Sequence, residues 1–386
     1  MDATVNPLSG LWKPSNALKG LFYGPDVVKK HLVSCLPSES SKAFIITGSS
    51  LANKTPLVKQ VEEILGARHA GTFSDIKEHA PIAQLDQATA QVQADASIDT
   101  IIAVGGGSPI DSAKAISFRV HETAGKFLHH ICIPTTLSAA ECTATAGFTG
   151  TDGVKTGISH PGVLASYILY DAKFGLHTPP ELFASTGIRA LDHAVEMQYH
   201  PTATLLSRNN GLLAIQELVE LLPRYQKDPR DEDTITRLFL AAYTSLGFFG
   251  LNTRGGLGLS HTLGYALGSP YSIPHGRTSC LTLGNVVKLK ARASKGDAAN
   301  IACILPFVGE TPSGDVVADA TRVGDRINQL VADLGFKTTL TTIGVGKDQA
   351  DIIVARATGG LKASDELTQE QKKVYTAVKD LVQNLY

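Results

Sequence analysis

An apolar run, Thr100-Ile101-Ile102-Ala103-Val104, leads straight into Gly105-Gly106-Gly107-Ser108, and a helical pattern begins at Pro109. The run has the length and β-branched content of a buried strand. Glycines let the backbone turn sharply and come close to a ligand. The helix behind them offers unpaired N–H groups and the positive end of its dipole. Strand, glycine turn and helix in this order predict a parallel α/β unit. Three consecutive glycines favour a diphosphate cradle over a plain tight βα turn. The segment is neither a GxGxxG fingerprint nor a P-loop. Gly105, Gly106, Gly107, Ser108 and Asp111 are its candidate binding residues.

The neighbouring sequence repeats the alternation. Residues 42–48 read as a buried strand ending in a glycine turn, 55–65 as a helix, 71–73 as a short strand, 85–96 as a helix and 127–134 as a strand. Strands alternating with helices imply a parallel sheet covered on both faces. Gly48-Ser49-Ser50 follows the first strand, where a dinucleotide would place its adenosine ribose. An acidic residue there would favour NAD; serines with Lys54 nearby permit a 2′-phosphate, so NADPH and NADH are both open. The alternative is a serine-capped helix start. Thr135, Thr136 and Ser138 follow Pro134, and their hydroxyls either touch phosphates and ribose or form an ordinary turn.

Near Thr178-Pro179-Pro180 the pattern changes, and helices dominate from there: 203–222, 231–249, 313–334, 347–356 and 368–385. The expected organisation is an α/β dinucleotide-binding domain over 1–180 and an all-α domain over 181–386. With 43% hydrophobic residues, 18% charged residues and a formal net charge of -1, the chain can build a large core and has no electrostatic footprint for nucleic acid. Five scattered cysteines without a CxxC pair argue against a disulfide framework. No apolar run approaches the roughly 20 residues that span a bilayer. Met1 to Pro7 has neither the basic start nor the apolar segment of a secretory signal. We expect a cytoplasmic protein acting on a small molecule, with no nucleic-acid or membrane partner; a homodimer is left open.

One stretch gathers candidate catalytic groups. Arg189 and His193 are four apart on one helical pattern, and His261 and Tyr265 are four apart on another, so each pair shares a face. His275 follows a turn. Such an arrangement builds a metal site or a proton-transfer site, but Arg189 stands where a carboxylate ligand would be wanted. His31, His69, His79, His121, His160, His177 and His200 read as structural or exposed, and at least one of His129 and His130 as a core residue.

Gly105 to Lys114 resembles the cofactor motif of iron-containing (group III) alcohol dehydrogenases, and Ile133-Pro134-Thr135-Thr136-Leu137-Ser138-Ala139-Ala140-Glu141 resembles that family's next motif. Gly187 to Glu196 and His261 to Gly276 resemble its two metal segments, and the likeness extends to residues 339–345. Gly153-Val154-Lys155-Thr156-Gly157, Phe73 with His79-Ala80-Pro81, and His261-Thr262-Leu263-Gly264 resemble the maleylacetate reductase branch. The resemblance implies a dehydroquinate synthase-like architecture, NAD(P)H, and hydride transfer to a carbonyl or activated double bond of a small polar substrate. An aspartate and three histidines hold the ion in metal-dependent members. The matching positions here are Arg189, His193, His261 and His275. Asp192, next to His193, does not face the same way. Tyr265 replaces a further histidine. The expectation is therefore catalysis by Arg189, His193, His261, Tyr265 and His275 without iron or zinc, the alternative being a zinc or iron ion on the three histidines. Arg189 turning to solvent, or pairing with Asp192 or Glu196, is the plain reading of that residue. A non-redox dehydratase, cyclase or isomerase using the histidines as acid and base is the alternative activity.

Overall fold

The computed structural model describes residues 17–151, 155–249, 255–363 and 366–386. Gly153 and Val154 of the branch motif lie outside the described residues. Close contacts divide the described chain into two bodies, one of residues 17–183 and 224–249 and the other of residues 184–223 and 255–386.

The first body is built on β1 (Gly20–Tyr23), β2 (Lys42–Ile46), β3 (His69–Phe73), β4 (Ile98–Gly105), β5 (His129–Pro134), β6 (Thr145–Thr149), β7 (Lys155–Ser159) and β8 (Tyr167–Tyr170). Six of these form one sheet in the order β1-β8-β5-β4-β2-β3, and every described pairing in it is parallel. Its helices are α1 (Val27–His31), α2 (Ser49–Lys54), α3 (Leu57–Leu65), α4 (Ile82–Gln93), α5 (Gly107–Ala124) and α6 (Ala172–Gly175). The central strands carry continuous apolar runs, residues 101–104 in β4 and 131–133 in β5, because helices cover both faces. Val27, Leu57, Val61, Ile102, Val104, Ile131 and Leu169 share one core cluster. From β2 the chain goes outward to β3, then returns to the other side of β2 as β4 and continues to β5. The order thus reverses between β2 and β4, and ligands of open α/β sheets bind beyond the strand ends at such a switch. The segments after those two strands are the ones carrying Gly48 and Gly105.

β6 and β7 form a separate antiparallel hairpin. The sequence reading did not anticipate it, nor β1 and β8. All are four or five residues long, and β6 and β7 carry weak hydrophobic alternation. Helix α2 is also new: Gly48 is its N-cap, without a side-chain capping bond, and the two serines occupy its first turn. This replaces the serine-capped alternative.

Three helices follow: α7 (Pro180–Tyr199), α8 (Leu205–Lys227) and α9 (Glu232–Leu246). Tyr170 of β8 stacks on Phe239 of α9 at 5.0 Å between ring centres, which fixes α9 to the α/β body. The second body continues with α10 (Leu259–Tyr271), α11 (His275–Ala293), α12 (Lys295–Ala302), α13 (Val316–Asp333), α14 (Ala350–Ala357) and α15 (Gln369–Gln383). Leu263, Leu267, Val286, Ile353, Val354 and Val382 form its core cluster. The helices expected after residue 200 are all present, with ends shifted by a few residues as fraying allows.

Candidate active site

In the α/β body the glycine turn behaves as its sequence suggests. Gly105 ends β4 with φ +139, and a Cβ there would lie 3.0 Å from Pro109 Cγ. Gly106 is the N-cap of α5 and has no side-chain cap. A Cβ on Gly106 would meet the Thr136 side chain at 3.1 Å, and one on Gly107 would come within 3.5 Å of Ser138 Oγ. The loop after β5 is held against this turn by the bond from Thr135 N to Gly105 O at 3.0 Å. Thr136 Oγ1 and Ser138 Oγ are buried with no protein partner. Buried hydroxyls are normally bonded, so two beside a bare helix N-terminus offer donors to an oxygen-rich ligand. Ser49 and Ser50 are exposed at the end of β2. Asp111 is engaged elsewhere: its Oδ2 accepts from Gly147 N at 3.0 Å and its Oδ1 lies 3.5 Å from Lys114 Nζ.

Lys114, in the same motif, is fully buried. Its ammonium donates to Ala140 O at 2.6 Å, Thr145 O at 2.7 Å and Thr143 Oγ1 at 3.2 Å. This buried cation thus pins the loop after Ser138 and the hairpin. Sequence reading gave it no role.

In the helical body, α7, α10 and α11 carry the five expected residues, and each of them lies beside at least one other. Arg189 is only 7% exposed. Its Nη1 donates to Ser279 Oγ at 3.2 Å and lies 3.8 Å from Asp192 Oδ2. Its Cζ is 5.9 Å from the centre of the Tyr265 ring. Gly264 leaves the guanidinium room, since a Cβ there would sit 3.2 Å from Nη1. Arg189 does not turn to solvent. The His193 and His261 rings are 4.9 Å apart, and Tyr265 meets His275 edge-on at 6.0 Å. Tyr265 is 47% exposed.

The decisive partners of His261 were not assigned in the sequence reading, which named Asp192 and Glu196 only as possible partners of Arg189. Asp192 and Glu196 are fully buried and four apart on α7, the spacing that shares a helical face. His261 Nδ1 lies 2.7 Å from Glu196 Oε2 and 3.4 Å from Asp192 Oδ1. An imidazole nitrogen between two carboxylates carries a proton. Nε2 is then the atom left for chemistry, and it is buried with no protein partner. Asp192 Oδ2 also accepts from Ser279 Oγ at 2.6 Å and Ser260 Oγ at 2.8 Å. Burial and Arg189 disfavour a charged His261, but Asp192 and Glu196 outweigh them and raise its pKa. Burial also works against the Asp192 anion, yet His261, Arg189 and Ser279 hold its carboxyl below the usual range. Burial, then the charges of His261 and Arg189, push His193 well below the usual histidine value, so it stays neutral. Its Nδ1 is buried without a partner.

Among the described residues, one set of three acidic, histidine or cysteine groups brings its ligand atoms within 4.8 Å of one another: Asp192, Glu196 and His261. His193, His261 and His275, the alternative ligand set, are not so assembled. Glu196 is already saturated. Its Oε2 accepts from Gly258 N at 2.7 Å and His261 N at 3.3 Å, and its Oε1 accepts from Ser260 N at 2.7 Å.

The α/β segment, residues 19–172, matches the family model of iron-containing alcohol dehydrogenases, and residues 183–386 match the model of that family's C-terminal region. The chain belongs to the iron-containing alcohol dehydrogenase family and is an oxidoreductase. It lies on the maleylacetate reductase-like branch. It is 28% identical to maleylacetate reductase of Rhizobium sp. strain MTP-10005, over 80% of this chain and 82% of that protein. It is 30% identical to dehydrogenase FUM7 of Gibberella moniliformis, over 82% of this chain and 85% of that protein. The fold is similar to the crystal structure of the Rhizobium maleylacetate reductase, with a TM-score of 0.77, 24% identity, and 98% and 99% of the two chains covered. No described helix is long and apolar enough to cross a membrane.

Proposed function

We propose that this chain is a nicotinamide-dependent reductase that acts on a carbonyl or activated double bond of a small, carboxylate-bearing substrate and needs no metal ion. The observation that carries the reading is the pairing of a buried Arg189 with a His261 whose Nδ1 is held by carboxylates and whose Nε2 has no protein partner. The maleylacetate reductases among its relatives support a reductive direction and a carboxylate substrate of that kind.

The family's ion does not suit this donor set. Arg189 occupies the aspartate position and brings its own charge. A guanidinium about 4 Å from a divalent ion costs roughly 8 kcal/mol at an effective dielectric of 20. The Asp192, Glu196 and His261 cluster is a poor substitute, because Glu196 and Asp192 Oδ2 already accept from serines, backbone amides and Nδ1, which leaves Asp192 Oδ1 as the one open carboxylate oxygen.

The α/β body suits a dinucleotide: Gly105, Gly106, Gly107, Thr136 and Ser138 would hold its diphosphate, with Gly48, Ser49 and Ser50 at the adenosine end. Bound there, NADPH or NADH supplies the hydride. The remaining work belongs to this chain's side chains. Arg189, always charged, neutralises negative charge developing on a substrate oxygen or clamps a carboxylate. His261 Nε2–H gives the proton that completes reduction, leaving a neutral ring still bonded through Nδ1. A histidine whose pKa is raised suits that task near neutral pH. His193 stays uncharged and offers a second hydrogen bond. Tyr265 and His275 line the same face.

The test measures loss of reduced nicotinamide with a panel of keto and unsaturated carboxylates, in wild type and His261→Asn. Stoichiometric nucleotide oxidation that His261→Asn slows about 100-fold is expected. Product formed without nucleotide consumption would contradict the reading and favour the non-redox alternative.

A further inference from the structure

The structure assigns Glu196 a task that no catalytic group performs: we propose that it is a positioning residue, fixing the His261 ring with Nδ1–H inward and Nε2 toward the reacting atoms. This rests on the proposed proton donation by His261. Glu196 comes from α7, whereas His261 is the third residue of α10. Gly258, the N-cap of α10, has no side chain to satisfy the first amides of that helix. Glu196 does so from outside, accepting from Gly258 N, Ser260 N and His261 N. The same carboxylate accepts from His261 Nδ1 at 2.7 Å. One anchor therefore sets both the start of the helix and the ring on its first turn. Gly258 makes the approach possible, since a Cβ there would collide with Glu196 Oε1.

Asp192 is the more distant partner. Its nearest oxygen is 3.4 Å from Nδ1, and its other oxygen is held by Ser260 and Ser279 while facing Arg189. Without Glu196 the ring loses its close acceptor, and a neutral imidazole is free to place its proton on either nitrogen. Behind Glu196 is a cavity of about 300 Å³ lined by Tyr199, His200, Gly256, Leu257 and Lys290. Lys290 gives it a cation at the wall, so a small carboxylate can enter and replace a deleted side chain.

The experiment compares Glu196→Ala and Glu196→Gln with wild type and His261→Asn at matched folded fractions. It measures kcat, KM, the response to added formate, and the His261 tautomer by 15N-histidine NMR. Glu196→Gln keeps the side-chain length and one acceptor, so it serves if Glu196→Ala does not fold. We expect kcat to fall about 10- to 100-fold, as for lost orienting partners of histidine, with KM within about twofold. We expect a mixed His261 tautomer and partial recovery of Glu196→Ala with formate. Unchanged kcat, or lost kcat with the tautomer unaltered and no response to formate, leaves Glu196 as a helix cap and overturns the proposal. Full turnover by His261→Asn would instead sink the proton-donor reading itself.

Discussion

Arg189 and Asp192 are three apart on α7, and their 3.8 Å approach explains how a guanidinium tolerates burial here. Removing one member leaves the other charge uncompensated. Asp192→Asn is expected to cost about 3 kcal/mol of stability, measurable by urea denaturation. Arg189→Ala removes the charge proposed to act on substrate and is expected to lower kcat/KM about 100- to 1,000-fold, a loss that steady-state kinetics would reveal. His130 offers a residue-level test away from the site. It is buried, with Nδ1 3.2 Å from Val163 O, and burial pushes its pKa down to about 3 from 6.5. The unfolded chain binds a proton there below pH 6.5 that the folded chain refuses. Stability is therefore full above that pH and falls as pH drops from 6.5 toward 3, by up to about 1.4 kcal/mol per pH unit. Melting curves from pH 7.5 to 4.5 should show a shallower decline for His130→Gln; an unchanged slope would contradict this.

At the scale of elements, the β4 to α5 junction carries the most readable chemistry. Gly105 has φ +139 and Gly106 packs on Thr136. Gly106→Ala should raise the KM for nucleotide several-fold while leaving the fold intact, because the added methyl displaces a hydroxyl that faces the cradle. Nucleotide titration by fluorescence checks it. Lys114→Met should be more damaging to structure. It removes the short bonds to the Ala140 and Thr145 carbonyls and leaves them the longer ones from Thr143, at about 1–3 kcal/mol in all, and thermal melting reads the loss. The glycines were legible in sequence because a strand end, a helix start and a run without side chains are local signals. The placement of Arg189 and the histidines on shared helical faces was legible for the same reason. Asp192 and Glu196 were not, although their four-residue spacing gave a signal. Their importance lies in contacts with Ser260 and His261, more than sixty residues away, and helical periodicity cannot say which helix a face will meet. Lys114 was opaque in the same way: its partners are hairpin and loop carbonyls that only the folded chain gathers.

For the whole molecule, the family match extends across both segments, while at the ion's position Arg189 stands in place of the aspartate and the three histidines remain. The scaffold retains a glycine cradle on one body and a polar face of histidines on the other. Its buried charge is balanced within the protein: Arg189 against Asp192, and His261 against Glu196. This internal balance supports the proposal that the site works without an external cation. The most direct test is the metal dependence of turnover. Purified enzyme is stripped with a strong chelator, its iron and zinc content is measured, and kcat is compared before stripping, after stripping and after reloading. The account predicts unchanged kcat at less than about 0.05 metal ions per chain, together with measurable metal affinity only in Arg189→Asp. Activity that disappears on stripping and returns in proportion to added iron or zinc would contradict it.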